Sequence, residues 1–283
     1  MLRTVAWLFA AALAGLAPAV PQAVPDLHRT DFLNFIYQPS CADFEAAEAN
    51  VPVRVEAGRF YGKEGTPTEG TFFEVREVLY GDLTGDGKDE AVVRTLCNLG
   101  GTGQFDEGLV YGMRDGKPVL LGRIRGGDRA AGGVRCIRFE DGALKVERLG
   151  NDTGAAAGVD WIETETWRLR NGSLAEAGNA VRRRLETREG ARPIRFAKGK
   201  SSAVLKGTTS GADEYVFRAR EGQTLTAKIS SPGANAAFEI MIDDYTLACR
   251  STAWTGELSE GEHRLWVLAT RGTANYELEL SIR

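Results

Sequence analysis

Three dipeptides constrain this chain more than any other feature of it. Asp115-Gly116, Asp141-Gly142 and Asn171-Gly172 each separate two apolar runs. A two-residue hairpin connection requires left-handed backbone at both positions, and Asn or Asp followed by Gly supplies it at low cost. Each pair therefore predicts a tight β-hairpin. The runs around them are short and strand-like, at 51–55, 71–80, 90–96, 108–113, 118–122, 134–139, 143–149 and 161–169. Residues 26–174 read as an N-terminal antiparallel β-meander domain, with only residues 31–37 hinting at a helical start.

A second β region closes the chain. Tyr276, Leu278, Leu280 and Ile282 alternate with Glu277, Glu279, Ser281 and Arg283. A period of two describes a strand with one buried and one wet face. Leu225, Ala227 and Ile229 repeat the pattern, as do His263, Leu265 and Val267. Residues 191–283 are thus expected to form a β-sandwich or jelly roll. Between the two regions, residues 175–190 are rich in helix formers and carry Arg182, Arg183 and Arg184. That segment reads as a short, solvated helical linker. The expected fold class is mainly β.

The first residues carry an address. A basic Met1-Leu2-Arg3 start precedes an apolar run over 5–16, and Ala17-Pro18-Ala19 offers a small-residue cleavage site. This predicts a secretory signal peptide over 1–19. The run falls short of the roughly 20 residues that a membrane-spanning helix needs. The mature chain is expected to be periplasmic or secreted, with no membrane span. In an oxidising compartment Cys41, Cys97, Cys136 and Cys249 favour disulfides. Three pairings are open; Cys41–Cys97 is the favoured one, with Cys136 and Cys249 free or buried. No Cys-x-x-Cys spacing points to zinc or to redox exchange.

Composition narrows function. A formal charge of −4 gives no support to nucleic-acid binding, and two histidines, His28 and His263, exclude a His-rich metal centre. The cluster Asn98-Leu99-Gly100-Gly101-Thr102-Gly103 lacks the Gly-Lys-Ser/Thr of a phosphate loop, as does Gly126-Gly127-Asp128-Arg129. No Gly-x-Ser-x-Gly elbow occurs, and Glu163 with Glu165 reads as a solvated acidic strand face rather than a glycosidase pair. The chain is expected not to be an enzyme.

The sharpest local motif is Asp82-Leu83-Thr84-Gly85-Asp86-Gly87-Lys88-Asp89-Glu90. Oxygen-bearing side chains at alternate positions, with glycine at the sharp turn, suit calcium, with Asp82, Thr84, Asp86 and Glu90 as candidate ligands. The loop resembles FG-GAP and EF-hand-like calcium repeats, although Thr84 brings no charge and no Glu stands at the twelfth position. The other possibility is a rigid turn in which Asp82 and Asp86 accept from their own backbone amides. The region around it resembles uncharacterised bacterial exported domains.

The run Phe196-Ala197-Lys198-Gly199, then Tyr215 to Ala219, Gly222-Gln223-Thr224-Leu225, Trp266 and Asn275-Tyr276 carries a further resemblance. It is similar to the periplasmic inhibitors of g-type and i-type lysozymes, and to the wider bacterial pre-peptidase C-terminal domains. The resemblance implies a sandwich that presents loops to a lysozyme cleft. Ser210-Gly211 before Tyr215, and Trp266 followed by Thr270-Arg271-Gly272, resemble the Ser-Gly…Tyr and Tyr-x-x-x-Thr-Lys-Gly motifs of the i-type inhibitors. Trp266 stands for the Tyr and Arg271 for the Lys. The longer arginine-rich loop of the g-type inhibitors is reduced here to residues 269–273. The implied partner is a lysozyme or another peptidoglycan-cleaving enzyme. The alternative is a glycan- or envelope-binding adhesion module, in which residues 270–273 are a plain hairpin turn.

Overall fold

The computed structural model describes residues 26–39, 41, 52–66, 68–101, 103–127, 133–150, 161–184, 190–242 and 245–283. The expected signal peptide lies outside them. So do Asp128, Arg129 and Thr102. The described residues open with two single-turn helices, Leu27–Arg29 and Phe32–Asn34; the Asp26 carboxylate accepts from the His28 amide, and Asp31 from the Leu33 and Asn34 amides. A small ribbon of β1 (Ile36–Tyr37) and β2 (Val53–Arg54) follows.

The next five strands run β3 (Arg59–Tyr61), β4 (Thr71–Gly81), β5 (Glu90–Leu99), β6 (Phe105–Arg114) and β7 (Lys117–Gly127). They pair in that order as an antiparallel meander. A second meander comprises β8 (Cys136–Glu140), β9 (Ala143–Gly150), β10 (Trp161–Arg170), β11 (Ser173–Glu176) and β12 (Val181–Arg184). The three marker dipeptides are the hairpin turns β6–β7, β8–β9 and β10–β11. Asp115, Asp141 and Asn171 have φ of 49°, 51° and 53°, and the glycine after each is also positive. Two consecutive left-handed residues match the right-handed twist of the flanking strands.

Residues 173–184 correct the expected helix. β11 and β12 both pair with β10, along one edge of it. Arg182 donates to Glu163 at 2.6 Å and lies over the Trp161 ring at 4.2 Å. Ladder bonds and these contacts outweigh helix propensities, which separate residues by only about 0.7 kcal/mol or less. Residues 185–189 lie outside the described residues.

The C-terminal part is a two-sheet sandwich. Its strands are β13 (Arg192–Pro193), β14 (Ser202–Thr209), β15 (Ala212–Ala219), β16 (Gln223–Ser230), β17 (Ala236–Ile242), β18 (Tyr245–Ser251), β19 (Ala253–Leu258), β20 (Gly261–Ala269) and β21 (Ala274–Ile282). One sheet runs β13-β15-β20-β17-β18 and the other β14-β21-β16-β19. Phe238, Ile240, Leu265 and Val267 from the first meet Leu225, Ala227, Ile229, Leu278 and Leu280 from the second. The alternation read in β16 and β21 is the pattern of their burial.

Sheets are stacked along the whole molecule. The first meander packs one face on the N-terminal segment, with Phe73, Val93 and Leu109 against Leu27, Phe32 and Tyr37. Its other face meets the second meander, with Val92, Val110 and Ile124 against Ile137, Leu144 and Val146. The far face of the second meander meets the sandwich, with Leu149 against Met241, Trp266 and Leu268. Strands covered on both faces read as unbroken apolar runs rather than alternating ones. β5 and β17 are covered on both faces, and their apolar runs are interrupted by Arg94 and Thr95 in the first and by Glu239 in the second.

The seam between second meander and sandwich is polar as well. Arg135 donates to Glu147 at 2.7 Å and to Glu239 across the seam. Arg250 approaches Glu147 at 3.0 Å from the sandwich, and Arg138 reaches it at 2.8 Å. Arg135, Glu147 and Glu239 side chains are at most 1% exposed. Buried charges persist only when paired in this way. Cys41 and Cys97 are bonded, as favoured from the sequence. Cys136 and Cys249 are not free; they form a second disulfide across the seam, because the stacked sheets bring their Cα atoms to 5.6 Å.

Candidate functional site

Three connections converge at one end of the sandwich. They are Ser210-Gly211 between β14 and β15, residues 231–235 between β16 and β17, and residues 270–273 between β20 and β21. The Ala269 amide donates to the Gly211 carbonyl at 3.0 Å, and the Thr270 amide donates to the Asn235 carbonyl at 2.9 Å. The Gly211 amide is held by Thr209 Oγ1 at 3.2 Å. Ser210, Gly211, Thr270, Arg271 and Gly272 are all exposed. Gly272 has φ of 57°, the left-handed conformation that lets a four-residue turn close.

Arg271 is the one cation of this turn. Its Nη2 donates to the Gly233 carbonyl at 2.9 Å. A guanidinium has five N–H donors, so one such bond leaves a fork free for a carboxylate.

Tyr215 and Trp266 stand elsewhere. Tyr215 is buried; its hydroxyl lies 2.6 Å from that of Tyr276, which donates to Asp213 Oδ2 at 2.7 Å. With the Tyr276 proton so engaged, Tyr215 is the donor of the first bond. Arg192 caps the chain from outside, 2.8 Å from Asp213 and 4.5 Å above the Tyr215 ring. Burial, then the bonds to Tyr215 and Asp213, push the Tyr276 hydroxyl far above its ordinary range. This cluster joins the two sheets of the sandwich behind the exposed turns. Trp266 points to the opposite face of its sheet, into the seam, with Arg135 at 5.3 Å from its ring. Leu265 and Val267 on either side of it face the sandwich core, and the Trp266 face of β20 is covered by the N-terminal half of the same chain.

The Asp82 loop, between β4 and β5, is closed by its own backbone. Asp82 Oδ1 accepts from the Thr84 and Gly85 amides at 3.0 and 2.6 Å, and Oδ2 from Gly87 at 2.8 Å. Those bonds, the Gly87 one foremost, lower the Asp82 pKa. Asp86 accepts from Lys88 at 2.9 Å, and Glu90 turns inward to accept from the Leu83 amide at 2.8 Å. Asp89 is bonded to His28 at 3.0 Å, and His28 stacks on Tyr80. No group of three or more His, Cys, Asp and Glu able to hold a metal ion occurs among the described residues.

No protein-family model matches the sequence, and none of the curated proteins matches it. Solved structures do. PliG of Aeromonas hydrophila, a periplasmic inhibitor of g-type lysozyme, is 27% identical, covering 35% of this chain and 100% of that one, with a TM-score of 0.32. PliG of Salmonella Typhimurium is 26% identical, covering 33% and 99%, at 0.28. The pre-peptidase C-terminal domain of a Bacillus anthracis collagenase is 15% identical, covering 34% and 97%, at 0.27. Both kinds of protein are ones the sequence resembles.

Asn235 is absent from the residues singled out in the sequence. It lies in Ser231-Pro232-Gly233-Ala234-Asn235, and Pro-Gly followed by Asn signals a turn but not a target for its side chain.

Proposed function

We propose that this chain is a periplasmic binding protein that inhibits a lysozyme or a related peptidoglycan-cleaving enzyme through the exposed end of its sandwich. The target class comes from the sequence motifs Ser210-Gly211 and Thr270-Arg271-Gly272. The carrying observation is geometric: Arg271 stands exposed on a closed turn beside Ser210-Gly211. Glycosidases of this kind work with a pair of carboxylates flanking the scissile bond. An arginine fork on a turn that does not yield can engage one of them bidentately in a partly dry cleft. Trp266 and Tyr215 contribute framework rather than contact.

The test is inhibition of c-, g- and i-type lysozymes by the full-length protein and by Arg271→Ala. Loss of an interfacial charge pair is expected to cost about 2–5 kcal/mol of binding. Arg271→Lys is expected to recover only part of it, since an ammonium has no planar fork. Folding stability is expected to change by less than about 0.5 kcal/mol, as is usual for exposed positions. Equal inhibition by Arg271→Ala would remove the turn as the inhibitory site. Binding to peptidoglycan with no slowing of any lysozyme would replace inhibition with adhesion.

A further inference from the structure

The Thr270–Thr273 turn has little to hold it from within. Its order comes from the neighbouring connection, and from one side chain there. Asn235 Nδ2 donates to the Arg271 carbonyl at 3.0 Å and to the Thr273 carbonyl at 3.0 Å. Both acceptors are carbonyl oxygens, so the amide nitrogen must face them, and the side-chain orientation is fixed by chemistry. The main chain of Asn235 accepts from the Thr270 amide at 2.9 Å. The turn is therefore gripped at its first, second and fourth residues by a single amino acid.

Asn235 is itself held. Its amide donates to Ser231 Oγ at 2.9 Å, and its Oδ1 lies 3.2 Å from the same hydroxyl. The Ala234 amide donates to the Ser231 carbonyl at 3.0 Å, closing the connection on itself. From that platform Gly233 also holds the Arg271 guanidinium. Both the backbone and the side chain of Arg271 are thus templated by residues 231–235.

We infer that Asn235 is a positioning residue for Arg271, holding the turn in its binding geometry before any partner arrives. This rests on Arg271 being the inhibitory contact. A loop ordered in advance has less entropy to lose on association, so its affinity is higher than that of a loop ordered on contact. Only a short planar amide supplies two N–H donors at this reach. Aspartate, of the same shape, supplies none and turns two attractive contacts into repulsive ones.

The experiment compares Asn235→Ala, Asn235→Asp, Arg271→Ala and the Asn235→Ala/Arg271→Ala double variant. Each is measured as the full chain for inhibition of c-, g- and i-type lysozymes and for ¹⁵N relaxation of the Arg271–Thr273 amides. Both Asn235 variants are expected to weaken inhibition by about tenfold to a hundredfold. In the Arg271→Ala background, Asn235→Ala is expected to change it by less than about twofold, since coupled residues are not additive. The turn amides are expected to loosen in both Asn235 variants while those of Tyr276 and Leu278 stay rigid. Equal losses in both backgrounds would overturn the inference, as would turn amides that remain rigid. If no lysozyme is inhibited by the parent protein, the functional reading falls by itself. Loosened turn amides would still support the clamp, and rigid ones would overturn it.

Discussion

Glu239→Gln probes the seam most directly. The Glu239 side chain is fully buried, bonded to Arg135 and flanked by Arg250 Nε at 3.9 Å. Gln keeps the shape and removes the charge. Arg135 would retain Glu147 at 2.7 Å, but Glu147 already serves Arg138 and Arg250. Three guanidiniums would then share one buried carboxylate where two carboxylates stood. Breaking a buried pair from one side costs about 3–5 kcal/mol. At about 2–4 °C per kcal/mol for a chain of this size, Tm is expected to fall by about 6–20 °C. The double variant Arg135→Met/Glu239→Leu removes both charges and leaves Glu147 its other two arginines. It is expected to lose less than Glu239→Gln alone, because an apolar replacement of a buried pair is often near neutral. Calorimetry and urea unfolding read both. A Glu239→Gln protein melting within about 1 °C of the parent would refute a seam held by its buried charge pairs.

Replacing Cys136 and Cys249 together by serine opens a crosslink spanning 113 residues and is expected to cost about 2–5 kcal/mol. An unchanged urea midpoint would show that the noncovalent seam alone holds the two halves. Glu90 sets a pH dependence: burial raises its pKa above the ordinary 4.5 even though the Leu83 amide bonds to it. A native state with the higher pKa binds its proton more tightly, so this group erodes stability as pH climbs from 4.5 through the folded pKa. Glu90→Gln keeps an acceptor for Leu83, and its Tm advantage is expected to grow between about pH 4 and pH 7; a constant difference would refute the assignment. For the Asp82 loop, melting in excess EDTA is expected to match melting in millimolar calcium. A calcium-dependent rise that Asp82→Asn abolishes would establish a cation there.

The hairpins were legible because their cause is local: Asp141-Gly142 takes the required backbone whatever surrounds it. The alternation of β21 was legible for a related reason, since one face meets water. β17 offered no such cue, because the seam covers its second face, and that cover is made more than eighty residues away in sequence. The same cover explains Trp266, whose sequence context matched a motif while its face was taken by Leu149 and Arg135. Residues 175–190 misled because helix propensity is a property of the segment, whereas the open edge of β10 is a property of the sheet. The Cys136–Cys249 pairing could be listed among three possibilities but not chosen without the stacking of sheets. Asn235 was invisible because its two acceptors are main-chain oxygens, which leave no pattern in side-chain identity.

The two disulfides join cysteines in the order in which they occur, first to second and third to fourth. A chain entering an oxidising space from its N-terminus can make both by pairing each thiol with the next to arrive, with no later exchange. Cys136 must wait for a partner 113 residues further along the chain. Until Cys249 appears, the molecule carries one unspent thiol, and any chain cut short before that point keeps it. Closure of the second bond is in effect a receipt for the sandwich, issued only to a molecule in which β18 has reached β8.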